Sequence, residues 1–129
     1  MNPRFAITVE GDGDLRIVRP IGELDISTVA ELAPVVERAC SSQADLVLDL
    51  SGLSFLDCAG LRILLYAHAV TNSNGGSLRL IAGSTTVQRI FQLTGLDTRF
   101  RFISPGALER TPRFSRRPHP QAARIADAS

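Results

Sequence analysis

The run Leu46-Val47-Leu48-Asp49-Leu50 constrains the fold most. It is short, apolar and set between two segments whose apolar residues recur at helical intervals, the pattern of a strand buried on both faces of a parallel sheet. Before it, Val29, Leu32, Val36 and Ala39 mark one helix. After it, Leu61, Leu64 and Leu65 mark another, spanning about Cys58 to Thr71, with Asp57 as its N-cap. Leu78 to Ala82 reads as the next strand. A third helix follows, with Val87, Ile90 and Phe91 on its apolar face and Gly95 as its stop. Arg99 to Ile103 reads as a last strand. The chain opens with alternation at Phe5, Ile7 and Val9, a Gly/Asp turn cluster at residues 10–14, and a second strand from Leu15 to about Ile21, which predicts an antiparallel hairpin.

The order is ββαβαβαβ. Each strand–helix–strand unit is expected to be a right-handed parallel crossover. The fold class is therefore α/β: a single domain with a mixed sheet, an N-terminal antiparallel hairpin and helices packed on the sheet. Gly22-Glu23-Leu24-Asp25 reads as a loop. Ser27 or Thr28 is expected to cap the first helix, with Thr28 and Glu31 at capping-box spacing, and Ser84 or Thr85 the third, with Thr85 and Gln88 likewise. Pro34, inside the first helical pattern, predicts a kink or a later start.

Composition excludes several chemistries. All 14 basic residues are Arg, so no Lys is present to hold a nucleotide phosphate, form a Schiff base or pair with a Ser nucleophile. His119 lies in a Pro/Arg-rich stretch, which leaves His68 as the one imidazole in a folded region, on or beside a buried helix face and best read as structural. Two cysteines, Cys40 and Cys58, make neither a zinc site nor a disulfide scaffold. They are expected at opposite ends of the Leu46–Leu50 strand, about 17–20 Å apart, too far for a disulfide. Asp49 ends a buried strand, as phospho-acceptor aspartates of receiver domains do, but a receiver also needs a Lys. It reads as a hydrogen-bond acceptor on the loop side. No metal or cofactor is expected, and an enzyme is disfavoured.

Residues 1–109 hold nine Arg against twelve acids, a net charge of −3, so a nucleic-acid footprint is missing there. Residues 110–129 hold five Arg against one acid and are rich in Pro and Ala. This stretch is expected to be a disordered basic tail outside a domain of residues 1–109. No apolar run approaches the ~18 residues of a membrane span and the start carries no signal-peptide pattern, so a soluble, cytoplasmic protein is expected.

Phe55-Leu56-Asp57-Cys58-Ala59-Gly60-Leu61 is the most informative segment. It places a small, polar turn at a helix N-terminus, on the sheet edge where α/β folds meet ligands and partners. Small residues at Cys58, Ala59 and Gly60 allow close approach to the backbone. With Gly22-Glu23-Leu24-Asp25 before it and Thr94-Gly95-Leu96 after it, the chain resembles a STAS domain of the anti-sigma factor antagonist family over about residues 4–108. The resemblance implies binding to an anti-sigma factor of the serine kinase type, release of the sigma factor, and no enzymatic activity. It also implies that Asp25, Asp57, Cys58, Ala59, Gly60, Leu61, Thr94, Gly95 and Leu96 serve the partner site. In the family the kinase phosphorylates a Ser directly after the Asp of the second motif, which switches binding off. Here that position is Cys58, followed by Ala59, so the hydroxyl is missing. Two other readings stay open: a STAS module of a lipid-transport or stress-signalling assembly, and a redox sensor using Cys58 at its helix N-terminus.

Overall fold

The computed structural model describes residues 4–11, 14–40 and 44–110. The expectation for the basic tail lies almost wholly outside them.

The first two strands, β1 (Ala6–Gly11) and β2 (Leu15–Leu24), form the expected antiparallel pair, with Ala6 opposite Ile21 and Gly11 opposite Arg16. Helix α1 (Val29–Cys40) leads to β3 (Asp45–Asp49), all five residues of which are buried. Strand β4 (Leu53–Leu56) and helix α2 (Cys58–Ser73) come next, then β5 (Leu78–Ile81), α3 (Thr85–Thr94), a 3-10 turn (Leu96–Thr98), β6 (Phe102–Ile103) and α4 (Ala107–Arg110). The sheet order is β1-β2-β3-β5-β6, parallel from β2 onward, with β4 parallel to β2 alone.

Leu32, Val36, Leu64, Val87 and Phe91 from α1, α2 and α3 pack with Val18, Leu46, Leu48 and Leu80 on one sheet face. On the other face Ile17, Val47 and Ile81 form a smaller cluster, against which Leu15, Ile103 and Leu108 of α4 pack.

The structure departs from the sequence reading in three places, and it keeps Pro34 inside α1 without a later start. Gly22-Glu23-Leu24 is strand, because β2 runs ten residues and uses its last three to pair with β4. Gly22 has φ +114°, and a Cβ there would stand 2.0 Å from the carbonyl oxygen of Arg4, so the crossing of the two chains demands glycine. Strand β4 itself is additional. Leu53 and Leu56 are buried while Ser54 and Phe55 are exposed, because the register shifts between Gly22 and Glu23; the shift breaks the period of two by which a strand is read. Helix α1 starts at Val29 and runs through Pro34, whose surroundings are solvent, so the carbonyl left without a helical donor can be hydrated. The last strand is only Phe102–Ile103; Phe100 instead turns into the core against Phe91, ring centroids 5.7 Å apart.

Candidate partner-binding edge

Strands β3 and β4 lie end to end along one side of β2. Leu15 to Val18 of β2 pair with β3, and Gly22 to Leu24 pair with β4. Leu24 is the register partner of Leu56, so the residues that follow them, Asp25 and Asp57, emerge side by side at the same sheet edge.

Each carboxylate organises its own turn. Asp57 caps α2: its Oδ1 accepts from the amides of Ala59 (2.9 Å) and Gly60 (3.2 Å), donors that a helix start leaves unpaired. Asp25 does the same before α1. Its Oδ1 accepts from the Ser27 amide (2.9 Å), the Ser27 hydroxyl (2.6 Å) and the Thr28 amide (3.2 Å). The Ser27 hydroxyl, ahead of the amides, holds the Asp25 carboxyl below its ordinary range. Thr28 forms no capping box with Glu31. Its hydroxyl donates back to the carbonyl of Glu23 at 2.7 Å, tying the turn to β2. In both aspartates Oδ2 makes no hydrogen bond among the described residues.

Cys58 is exposed, opens α2, and its side chain makes no hydrogen bond among the described residues. Ala59 is half-buried. Gly60 and Leu61 are buried, which gives them a packing role in place of the expected surface one. A Cβ on Gly60 would come within 2.4 Å of Leu56 Cδ1 and 3.0 Å of Leu24 Cγ, so glycine lets α2 sit down on the ends of both strands. Ile26 and Phe55, 76% and 43% exposed, flank the two aspartates. Neither was legible as a surface residue: Ile26 stands in a loop without periodicity, and Phe55 owes its outward position to the register shift.

Thr94-Gly95-Leu96 stands apart from this group. It closes α3, which begins after Ser84 at the same edge and, at ten residues, runs about 15 Å. The Thr94 hydroxyl donates to the carbonyls of Ile90 and Phe91, Gly95 takes the left-handed conformation at φ 74°, and Leu96, half-buried, packs against the core. The α3 start is capped by Ser84, whose Oγ accepts the Val87 amide, while Gln88 accepts the Gly83 amide.

Other candidates resolve into structure. Asp49 accepts from Arg19 Nε at 3.0 Å and from the Ser51 amide and hydroxyl, as a loop-side acceptor. His68 lies edge-on to Phe100 at 5.5 Å. Cys40 is buried at the α1–α2 contact and accepts the Thr71 hydroxyl at 3.3 Å; both cysteines are free. No group of three His, Cys, Asp or Glu able to hold a metal occurs among the described residues, and no helix among them is long and apolar enough to cross a membrane.

The STAS domain family matches the chain over residues 6–107. An anti-sigma-F factor antagonist of Mycobacterium tuberculosis, RsfB, is 32% identical over 103 residues, 78% of this chain and 82% of that protein. The chain belongs to the STAS-domain family of anti-sigma factor antagonists. Solved members share the fold. An anti-sigma factor antagonist from Mycobacterium paratuberculosis superposes with a TM-score of 0.73 at 28% identity, covering 84% of this chain and 96% of the other. The antagonist SpoIIAA in its unphosphorylated form gives 0.69 at 25% identity, over 81% of this chain and 95% of its own. Within this STAS domain, Asp25 and Asp57, 32 positions apart in the chain, come together at one sheet edge.

Proposed function

We propose that this protein binds an anti-sigma factor of the serine kinase type through the edge formed by Asp25, Ile26, Phe55, Asp57, Cys58 and Ala59, and so releases the sigma factor that the kinase holds. The observation that carries this reading is the pair of aspartates. Each spends one carboxylate oxygen on its own turn and leaves the other without a hydrogen bond among the described residues, at a site already ordered before a partner arrives. Such oxygens suit cationic or N–H donors of a partner, and Ile26 and Phe55 add apolar area beside them. The names of the relatives, antagonists of anti-sigma factors, favour the same partner class. This role belongs in the cytoplasm and needs no catalysis by the chain itself.

Cys58 stands where the family places its phosphorylated Ser. A kinase transferring phosphate to a hydroxyl finds none there, nor at Ala59. A phosphate would add roughly −1.5 to −2 of charge beside Asp57 and Asp25; the thiol leaves the edge in its binding-competent condition. The off-switch at this position is therefore lost in this chain.

The test is titration of the full chain against its kinase-type anti-sigma factor with ATP present, followed by intact-mass measurement. Saturable binding with no added phosphate is expected. A wild-type chain that gains phosphate and loses affinity overturns the constitutive reading, and undiminished binding by Asp25→Ala moves the interface elsewhere.

A further inference from the structure

Strand β1 forms one rim of the sheet, and among the described residues nothing pairs with its outer side. In an antiparallel ladder alternate residues turn their N–H and C=O groups away from the neighbouring strand, so such a rim is a template for one more strand. The two rims of this sheet differ. β6 has two residues, follows Arg99 and Arg101, and meets Pro105 two positions on, so it offers almost no ladder. β1 has six residues, Ala6-Ile7-Thr8-Val9-Glu10-Gly11, with no Pro and one charged side chain. That side chain, Glu10, is held by Arg19 at 3.0 Å.

The rim is also apolar on the face that the helices cover. Val9 stands opposite Val18, a core residue, yet is 53% exposed, and Ile7 beside it is half-buried. The helical layer therefore does not reach Val9. Thr8 and Glu10 lie on the other face, opposite Arg19 and Ile17. Gly11, at φ +110°, ends the straight run, which leaves Ala6 to Glu10 able to pair.

We infer that β1 pairs antiparallel with β1 of a second copy of this chain, across a twofold axis at Thr8. In this register Ile7 of each copy faces Val9 of the other, the two Thr8 meet, and Ala6 faces Glu10. Cross-strand Thr pairs and contacts between β-branched residues favour such a ladder, and Val9 gains cover. Glu10 selects the register. With the axis at Thr8 the two Glu10 lie four residues apart along the seam, about 14 Å. With the axis at Val9 they become diagonal neighbours at about 7–8 Å, inside the ~8 Å screening length, and Gly11 must join the ladder. With the axis at Ile7 the ladder runs out of the strand into residues 4 and 5. The second copy is the occupant because the rim is its own complement: no pair in this register opposes like charges.

The axis stands perpendicular to the sheet and reverses β2, so the two Asp25–Asp57 edges point in opposite directions. Arg19, opposite Thr8, precedes Asp25 by six residues, about 20 Å, which sets the two edges about 40 Å apart and leaves both open. The dimer thus presents two partner sites. That consequence rests on the proposed function; the pairing itself does not.

The experiment is sedimentation equilibrium of the full chain, with disulfide trapping. A monomer–dimer equilibrium is expected between about 1 μM and 1 mM. Val9→Lys puts a charge on the seam and is expected to weaken dimerisation about tenfold or more. Leu93→Lys, at a site 76% exposed on α3, and Asp25→Ala are expected to leave it unchanged. Val9→Lys is expected to keep the far-UV circular dichroism of wild type, since the side chain it replaces is half exposed. For the register, Thr8→Cys in a Cys58→Ser background is expected to oxidise to a linked dimer. Directly opposed Cα atoms lie about 4.5–5.5 Å apart, within the roughly 4.4–6.8 Å that a disulfide spans. Ala6→Cys in the same background, about 14 Å from its counterpart, is expected to stay unlinked. A chain that remains monomeric up to about 1 mM, Val9→Lys that dimerises like wild type, or Ala6→Cys that links faster than Thr8→Cys overturns the proposal.

Discussion

The amide of Asp57 donates to the carbonyl of Leu24 at 3.3 Å, so the cap of α2 hangs from the end of β2. Asp25 is the residue that follows β2. The two carboxylates are thereby referred to one backbone contact, and neither can shift far without the other.

Asp57 has two separable tasks. Asp57→Ala removes the cap and is expected to cost about 1 kcal/mol of stability, read from urea denaturation. Asp57→Ser restores an oxygen acceptor and is expected to recover most of that loss while still binding the anti-sigma factor weakly. A Ser variant that binds like wild type would show that the charge makes no contact.

Gly60→Ala sets two effects against each other. Alanine favours helix by up to about 1 kcal/mol. Its methyl, however, meets the fully packed side chains of Leu56 and Leu24, an overpacking cost of roughly 1–3 kcal/mol. A net loss of about 1 kcal/mol is expected, measured by denaturant midpoint. A neutral result would mean that the two leucines can repack.

Asp25 is expected to titrate below 3.8, its ordinary value, because the charged form accepts the Ser27 hydroxyl and the two amides. With the folded pKa depressed, its stabilising contribution is present above the unfolded value and is lost as pH falls through the folded one. Asp25→Asn should flatten that acid-side slope. The check is a carboxyl-detected NMR titration beside acid denaturation of both proteins; a midpoint at or above 3.8 would remove the effect.

The two thiols should differ in reactivity. Burial pushes the Cys40 thiol pKa up, against the Thr71 hydrogen bond, whereas Cys58 is exposed. One cysteine is expected to label quickly in the native protein and both in denaturant. Cys58→Glu, adding charge and bulk at the partner edge, is expected to bind the anti-sigma factor more weakly, and Cys58→Ser to bind like wild type. Rapid native labelling of Cys40 would mean that the α1–α2 contact opens readily.

The elements with a regular period and a cap were legible before the structure. Leu46–Leu50 and the helix behind Asp57 follow from burial pattern and N-cap chemistry alone. What escaped was the part where neighbouring strands override the local pattern. β4 is hidden because its register shift places Leu53 and Leu56 inward, three residues apart. The turn at Asp25 was read from Thr28 and Glu31, whose spacing fits a capping box, but the Asp25 carboxylate takes the Thr28 amide and the Thr28 hydroxyl turns back to Glu23. Ile26 carries no periodicity at all, so its exposure emerges only with the fold.

Cys58 has no duty in the architecture. Its backbone opens α2, its cap comes from Asp57, and its side chain faces solvent. Cysteine and serine codons lie a single base apart, so exchanging a thiol for a hydroxyl at this exposed position takes one mutational step and disturbs no packing. Asp57 and Gly60, one and two positions away, allow no such exchange. The chemistry of this one exposed position is open to change, while its neighbours are held by the helix cap and the packed core.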